Sequence, residues 1–261
     1  MRQRVVGLVP TMGALHAGHI RLIEQARPEC HRVVVSIFVN PTQFNQASDF
    51  ENYPKTMDAD LAQCEKAGVD LVFAPTAAEM YPTPQFTFIE VGTLGEHLCG
   101  PFRPGHFRGV ATVVAKLLNI VQPDRAYFGQ KDAQQLAIIQ RMVADLNMPV
   151  EIIPVATVRE SDGLAMSSRN VRLTPEERAA SPVLYRALQL VAVELANSPN
   201  VEKAKEQAFA LIAAAHPTPR VEYLDVVDPV TLGPLVDATG PSLIAIAAWV
   251  GNVRLIDNIR I

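Results

Sequence analysis

Residues 5–27 read VVGLVPTMGALHAGHIRLIEQAR. The opening run is apolar and β-branched with one glycine inside it, the composition of a strand covered on both faces. From Gly18 to Arg27 apolar residues recur at helical spacing instead. Strand therefore passes into helix through one short turn, and that turn carries Gly13, His16, Gly18 and His19. The same succession repeats downstream. VVVSIFV (33–39), DLVFA (70–74), RAYFG (125–129) and VEIIPV (150–155) alternate with helix-period segments at 56–67, 109–121 and 132–146. Such alternation predicts an α/β fold, a doubly wound, Rossmann-like and mostly parallel sheet with right-handed crossovers. Gly7, inside the first strand, marks a close backbone approach.

After Ala156 the organisation changes. The polar stretch TVRESDGLAMSSRNVRL (157–173) leads to TPEE (174–177), where Thr, Pro and Glu have the spacing of a helix start. Helices are expected at 175–197 and 201–216, then strands RVEYLDVVD (220–228), SLIAIAAWVG (242–251) and VRLIDNI (253–259). Helices followed by strands predict a smaller C-terminal α+β domain. The expected domains are 1–158, for nucleotide and substrate, and 159–261, a smaller lid.

Composition narrows the partners. The chain has 261 residues, 49% hydrophobic and 19% charged, with net charge -4. That field favours neither nucleic acid nor an anionic membrane. The longest apolar run, LIAIAAWV (243–250), is too short to span a bilayer. The N-terminus reads as a first strand and not a signal peptide. The three cysteines, Cys30, Cys64 and Cys99, form no CxxC pair, so a reducing, cytoplasmic setting is expected.

Ligands of doubly wound sheets bind beyond the carboxyl ends of the strands. A helix start offers N–H groups and partial positive charge to an anion. His16 and His19 can face one phosphate there, and Gly13 and Gly18 would let a nucleotide approach the backbone. A tight turn with incidental histidines, or a metal pair, competes with that explanation. Asn40 and Gln43 in VNPTQF (39–44) would serve a hydroxyl or carboxylate, although an Asn-Pro turn, common everywhere, is by itself the better explanation of the pattern. RPGHFRGV (103–110) groups Arg103, His106 and Arg108 for an anionic substrate, or merely as a basic helix entry. In FGQKDAQQL (128–136) Lys131 is a phosphate cation, while Asp132 and Gln135 have capping-box spacing. Ser167, Ser168 and Arg169 in AMSSRN (165–170) suit triphosphate oxygens on a closing loop, or a polar linker. No metal-ligand cluster, Ser-His-Asp triad, nucleophilic cysteine site or Walker loop is visible.

Taken in order, PTMGALHAGH (10–19), SIFVNPTQF (36–44), RPGHFRGV, FGQKDAQQL and DGLAMSSRN (162–170) resemble the pantothenate synthetase family. HAGH looks like the HxGH signature of the wider nucleotidyltransferase superfamily, and MSSR like its mobile second loop. The resemblance implies a ligase in which ATP and pantoate give pantoyl adenylate and pyrophosphate, after which β-alanine displaces AMP to form pantothenate, a coenzyme A precursor. It implies ATP, carried with Mg²⁺, at Met12, Gly13, Ala14, Leu15, His16, Ala17, Gly18 and His19. Further ATP positions match Gly129, Gln130, Lys131, Asp132, Val158, Met166, Ser167, Ser168 and Arg169. His19 matches the catalytic histidine with His16 beside it, and Gln43 and Gln135 match the pantoate-holding residues. Charge chemistry adds Lys131 to the catalytic set and Arg103 and His106 to the substrate set, and the neutral amide of Asn40 joins the latter. A homodimer is implied as well. Cys99 and Gln130 stand where many members carry Glu, and the chain starts almost at its first strand, where members carry a helix of roughly two turns or more. Two other functions compete: adenylation of a phosphorylated acceptor, and nucleotide or pantothenate sensing without turnover.

Overall fold

The computed structural model describes residues 4–45 and 47–261. Its contacts form two units. The first runs to Gly92 and adds Arg103–Gln130 and Gln135–Thr157; the second joins Thr93–Phe102 and Lys131–Gln134 to Val158–Ile261.

In the first unit the described elements run β1 (Val6–Thr11), α1 (Ala17–Glu29), β2 (Arg32–Ile37), α2 (Ala47–Glu51), α3 (Met57–Lys66), β3 (Leu71–Phe73) and α4 (Ala77–Met80). They continue as α5 (His106–Val121), β4 (Arg125–Gly129), α6 (Ala133–Asp145) and β5 (Glu151–Val155). The strands form one parallel sheet in the order β3-β2-β1-β4-β5. The α/β alternation read from the sequence is thus realised as a doubly wound sheet. Its direction of growth reverses between β1 and β4, which makes the carboxyl ends of β2, β1 and β4 neighbours. The turns and helix starts after these strands carry His16 and His19, Gln43, and Gln130 beside Gly129 at the end of β4.

Packing explains the strand sequences. Val9, Val33, Val35 and Ile37 of the sheet bury against Leu22, Ile23 and Ala26 of α1 and Cys64 of α3. Each large aliphatic side chain so buried contributes about 1.5–3 kcal/mol. Gly7 is required inside β1 because a Cβ there would lie 2.7 Å from Cys30 Sγ and 3.2 Å from the Tyr127 ring. The close approach expected at this glycine is real, and it comes from side chains.

The second unit holds α7 (Pro175–Ala180), α8 (Val183–Asn197), α9 (Val201–Ala213) and an antiparallel sheet of β6 (Arg220–Val227), β7 (Leu243–Val250) and β8 (Val253–Arg260) in that order. Thr174 caps α7 through the expected capping box with Glu177. The continuous helix expected over 175–197 is instead two helices, divided at Ser181 and Pro182. By length and composition alone, Pro175–Asn197 could cross a membrane. However, Val183, Leu184, Leu188, Val191 and Leu195 are buried in this unit's core against Ile244, Ile246 and Leu224, the pattern of a core helix. The opposite face of the sheet meets Thr93–Phe102, where Phe102 stacks near Tyr223 and Cys99 Sγ lies 3.2 Å from the Tyr223 hydroxyl.

Candidate active site

One buried carboxylate shapes the turn after β1. Asp60, on α3 and 1% exposed, accepts the N–H groups of Ala14 (3.0 Å) and Leu15 (2.8 Å) and the hydroxyl of Thr56 (3.1 Å). The backbone bends left-handed beside it, with φ 80° at Gly13 and 49° at Ala14. A Cβ at Gly13 would lie 3.0 Å from Asp60 Oδ2 and 3.1 Å from Ile37, so glycine is needed there for conformation and for space. At Gly18 a Cβ would come within 2.7 Å of the His16 ring. Sequence reasoning gives both glycines to a nucleotide; the structure supplies protein groups that require them. It likewise spends several N–H groups that were expected to face an anion.

The two histidines are joined through the helix start. His16 is the N-cap of α1, and its Nδ1 accepts the Gly18 N–H at 3.1 Å. The His16 N–H in turn donates to His19 Nδ1 at 3.3 Å. Ring centroids are 4.1 Å apart. An imidazole whose Nδ1 accepts a hydrogen bond carries its proton on Nε2. This capping arrangement therefore fixes both rings as Nε2–H donors, and protonation at Nδ1 would break the cap. Paired neutral donors can bond one oxyanion without the repulsion of two adjacent cations.

Gln43 is built in beside this turn. Its Nε2 donates to Met12 Sδ at 3.1 Å, and its Oε1 accepts from Asn40 Nδ2 at 3.1 Å. Asn40, expected at the substrate, is 1% exposed and engaged by protein groups: Nδ2 also reaches the Gly109 carbonyl, and Oδ1 accepts from the hydroxyls of Thr42 (3.0 Å) and Tyr81 (2.8 Å). Burial pushes the Tyr81 phenol up, which keeps it a donor. Arg103 and His106, expected to hold an anionic substrate, meet the Gln43 main chain. His106 Nδ1–H donates to the Gln43 carbonyl at 2.8 Å, Arg103 Nη2 donates to the same oxygen at 3.2 Å, and Arg103 Nη1 donates to His106 Nε2 at 3.1 Å. Arg108 pairs with Glu90 at 2.9 Å and lies over the Phe88 ring. These side chains hold Gln43 in place.

Gly109 is a positioning residue that sequence reasoning passed over. A Cβ there would stand 2.4 Å from the Thr42 carbonyl oxygen and 2.9 Å from the Gln43 N atom, so α5 can seat the Pro41–Gln43 turn only with glycine.

Gln130–Asp132, where the chain passes from the first unit to the second, is a 3-10 turn that runs directly into α6. Asp132 thus lies within a helical run and not at the expected capping box; its carboxylate is 3.9 Å from Lys131 Nζ. Gln134, buried beside the half-buried Gln135, spends its amide on the Cys99 N–H and the carbonyls of Leu94 and His97. Val158 and Met166 close a hairpin through a 3.0 Å backbone bond. Beyond it, Ser167 Oγ accepts the Arg169 N–H at 3.2 Å, and Asn170 Nδ2 donates to Glu160 and to the Ala165 carbonyl. Ser167, Ser168 and Arg169 therefore sit in a bend tied at both sides.

Among the described residues no group of three His, Cys, Asp or Glu side chains could hold a metal ion. The cysteines are free and buried, and burial pushes the Cys30 and Cys64 thiols up, away from nucleophilic chemistry.

A parallel sheet with fixed donors and a clamped amide at adjoining strand ends defines an α/β enzyme for small molecules. Residues 1–260 match the family model of pantoate-beta-alanine ligase. The pantothenate synthetase of Moorella thermoacetica is 52% identical over 254 residues, 97% of this chain and 90% of that protein. That of Heliobacterium modesticaldum is 54% identical over 256 residues, 98% and 91% of the respective chains. Among solved structures, pantothenate synthetase from Thermus thermophilus aligns with a TM-score of 0.93 at 49% identity, covering 99% of this chain and 94% of the other. The Francisella tularensis ligase, crystallised with beta-gamma ATP and beta-alanine, aligns with a TM-score of 0.82 at 35% identity, covering 99% and 90%. The chain belongs to the pantoate–β-alanine ligase family and is an enzyme that joins pantoate to β-alanine.

Proposed function

We propose that the reaction runs through pantoyl adenylate, with ATP as the co-substrate. A pantoate carboxylate oxygen attacks the α-phosphorus, the bond to the β-phosphate oxygen breaks, and pyrophosphate leaves. The β-alanine amine then attacks the acyl carbon, the acyl–oxygen bond to AMP breaks, and the amine proton is lost as the amide forms. No covalent bond to the protein is needed, in keeping with the absence of an activated nucleophile among the described residues.

The observation that carries this proposal is the His16–His19 cap, in which each Nδ1 accepts a backbone N–H and the proton is thereby assigned to Nε2. Donors held in place before charge develops lower the barrier because they need no reorganisation. We assign His19 and His16 to the phosphate undergoing attack, and Lys131 and Arg169 to the negative charge passing to pyrophosphate. Met12, Gly13, Ala14, Leu15, Ala17, Gly18, Gly129, Gln130, Asp132, Val158, Met166, Ser167 and Ser168 complete the ATP-binding set. Gln43 and Gln135 take the pantoate hydroxyls as neutral partners, so no unpaired charge is buried with the substrate. The second unit serves as the smaller closing domain, and the enzyme works as a homodimer in the cytoplasm.

Two measurements test this function. Pantoate labelled with ¹⁸O in its carboxylate should pass one label into AMP; unlabelled AMP overturns the adenylate route. His19→Ala should lower turnover by at least about a hundredfold. A rate near that of the wild type would remove His19 from the chemistry.

A further inference from the structure

The stretch VRLIDNI near the C-terminus has, from its sequence, only the role of a strand, yet it contains two adjacent buried polar residues. Asp257 and Asn258 of β8 are 5% and 7% exposed, in an apolar sheet where uncompensated polar groups are costly. Their partners include Lys131, assigned to the triphosphate, and Arg159, next to Val158 of the ATP-binding set. Asn258 Nδ2 donates to the Lys131 carbonyl at 2.8 Å. Asp257 takes Arg159 in a two-point pair, 2.6 and 2.9 Å, and its Oδ1 also accepts the Asn258 N–H at 2.8 Å. Arg159 further donates to the carbonyls of Gly163 (3.1 Å) and Asn258 (3.3 Å), and its guanidinium lies 3.7 Å over the Tyr185 ring. Gly163, at φ 94° and with Tyr185 2.6 Å from where its Cβ would be, completes the hairpin of Val158–Met166.

We propose that Asn258 is a positioning residue for Lys131, and that Asp257 and Arg159 hold the Lys131 turn and the hairpin leading to Ser167–Arg169 in one common frame. The side-chain direction of Lys131 follows the rotation of the Gln130–Asp132 turn, and the Asn258 amide fixes that rotation through the Lys131 carbonyl. Both ATP-binding segments of the second unit then share one anchor on β8. Gln43 and Gln135, the residues assigned to pantoate, both belong to the first unit. The role assigned to Asn258 rests on the proposed function of Lys131.

The test is a double-mutant cycle on the full-length enzyme, read by pantoate-dependent exchange of pyrophosphate into ATP. Asn258→Asp replaces the donor with an acceptor facing the Lys131 carbonyl, and Asn258→Ala deletes it. Each should raise KM for ATP or lower kcat by at least about fivefold, with KM for pantoate within about twofold of wild type. In a Lys131→Ala background the same substitutions should change the exchange by less than about twofold, since the group they act through is gone. Thermal melting identifies the folded variants, and either Asn258 substitution alone carries the cycle if the other fails to fold. Multiplicative losses in the double variants, or equal movement of both KM values, would overturn the positioning role. Wild-type exchange that ignores pantoate would overturn the ligase mechanism instead, so the two failures are distinct.

Discussion

A methyl group at position 109 would stand 2.4 Å from the Thr42 carbonyl oxygen, with backbone on both sides of the collision. Gly109→Ala should therefore displace the Pro41–Gln43 turn and raise KM for pantoate about tenfold, with KM for ATP little changed, in steady-state kinetics. An unchanged pantoate KM would show that Gln43 does not depend on this contact. Asp60 acts on the neighbouring turn. Asp60→Ala strands the N–H groups of Ala14 and Leu15, at about 1–3 kcal/mol each, so denaturant titration should register a loss of at least about 2 kcal/mol. Neither residue stands out in the sequence. Gly109 looks like a tolerated flaw in an amphipathic helix, and Asp60 like any acid in MDADLAQCEK (57–66). Their roles come from contacts 67 and 46 residues away along the chain, from Thr42 to Gly109 and from Ala14 to Asp60, which no local pattern encodes. His16 and His19 were legible because their partnership is local, within one helical turn.

Secondary-structure elements were legible for the same reason: periodicity is written over neighbouring residues. The five strands of the first unit and the three of the second lie where alternation and apolar runs placed them. Their polar fastenings were not. Asp70, at the start of β3, accepts the Val33 N–H and pairs with Arg32 and Arg27, which ties β3 to β2 and α1. The Val33 N–H bond, then Arg32 and Arg27, hold its carboxyl below the usual range. A carboxyl held low in the folded state contributes stability that is complete above its unfolded value, near about 4, and is lost as pH falls through the lower folded value. Denaturation midpoints measured from about pH 5 downward should thus fall less steeply in Asp70→Asn than in wild type. A parallel decline would exclude Asp70 from the acid response. In the second unit, Asp257→Asn leaves the largely buried Arg159 guanidinium without its carboxylate and should cost about 3–5 kcal/mol, read by chemical denaturation.

At the scale of the whole molecule, the change of organisation after Ala156 was visible in composition, whereas the two excursions of the chain were not. Thr93–Phe102 and Lys131–Gln134 lie in sequence among elements of the first unit, yet their contacts belong to the second. Gln134 explains part of this, since its buried amide holds the Leu94–Cys99 backbone. A glutamine in a helix-period segment gives no local sign of such a role. The assignment of Lys131 therefore depends on long-range contacts as much as on its motif. The central claim, that this enzyme activates pantoate by adenylation, is tested most directly by exchange of radiolabelled pyrophosphate into ATP without β-alanine. Exchange that requires pantoate and is lost in His19→Ala is the predicted result; exchange supported equally by unrelated carboxylic acids, or none with pantoate, would contradict it.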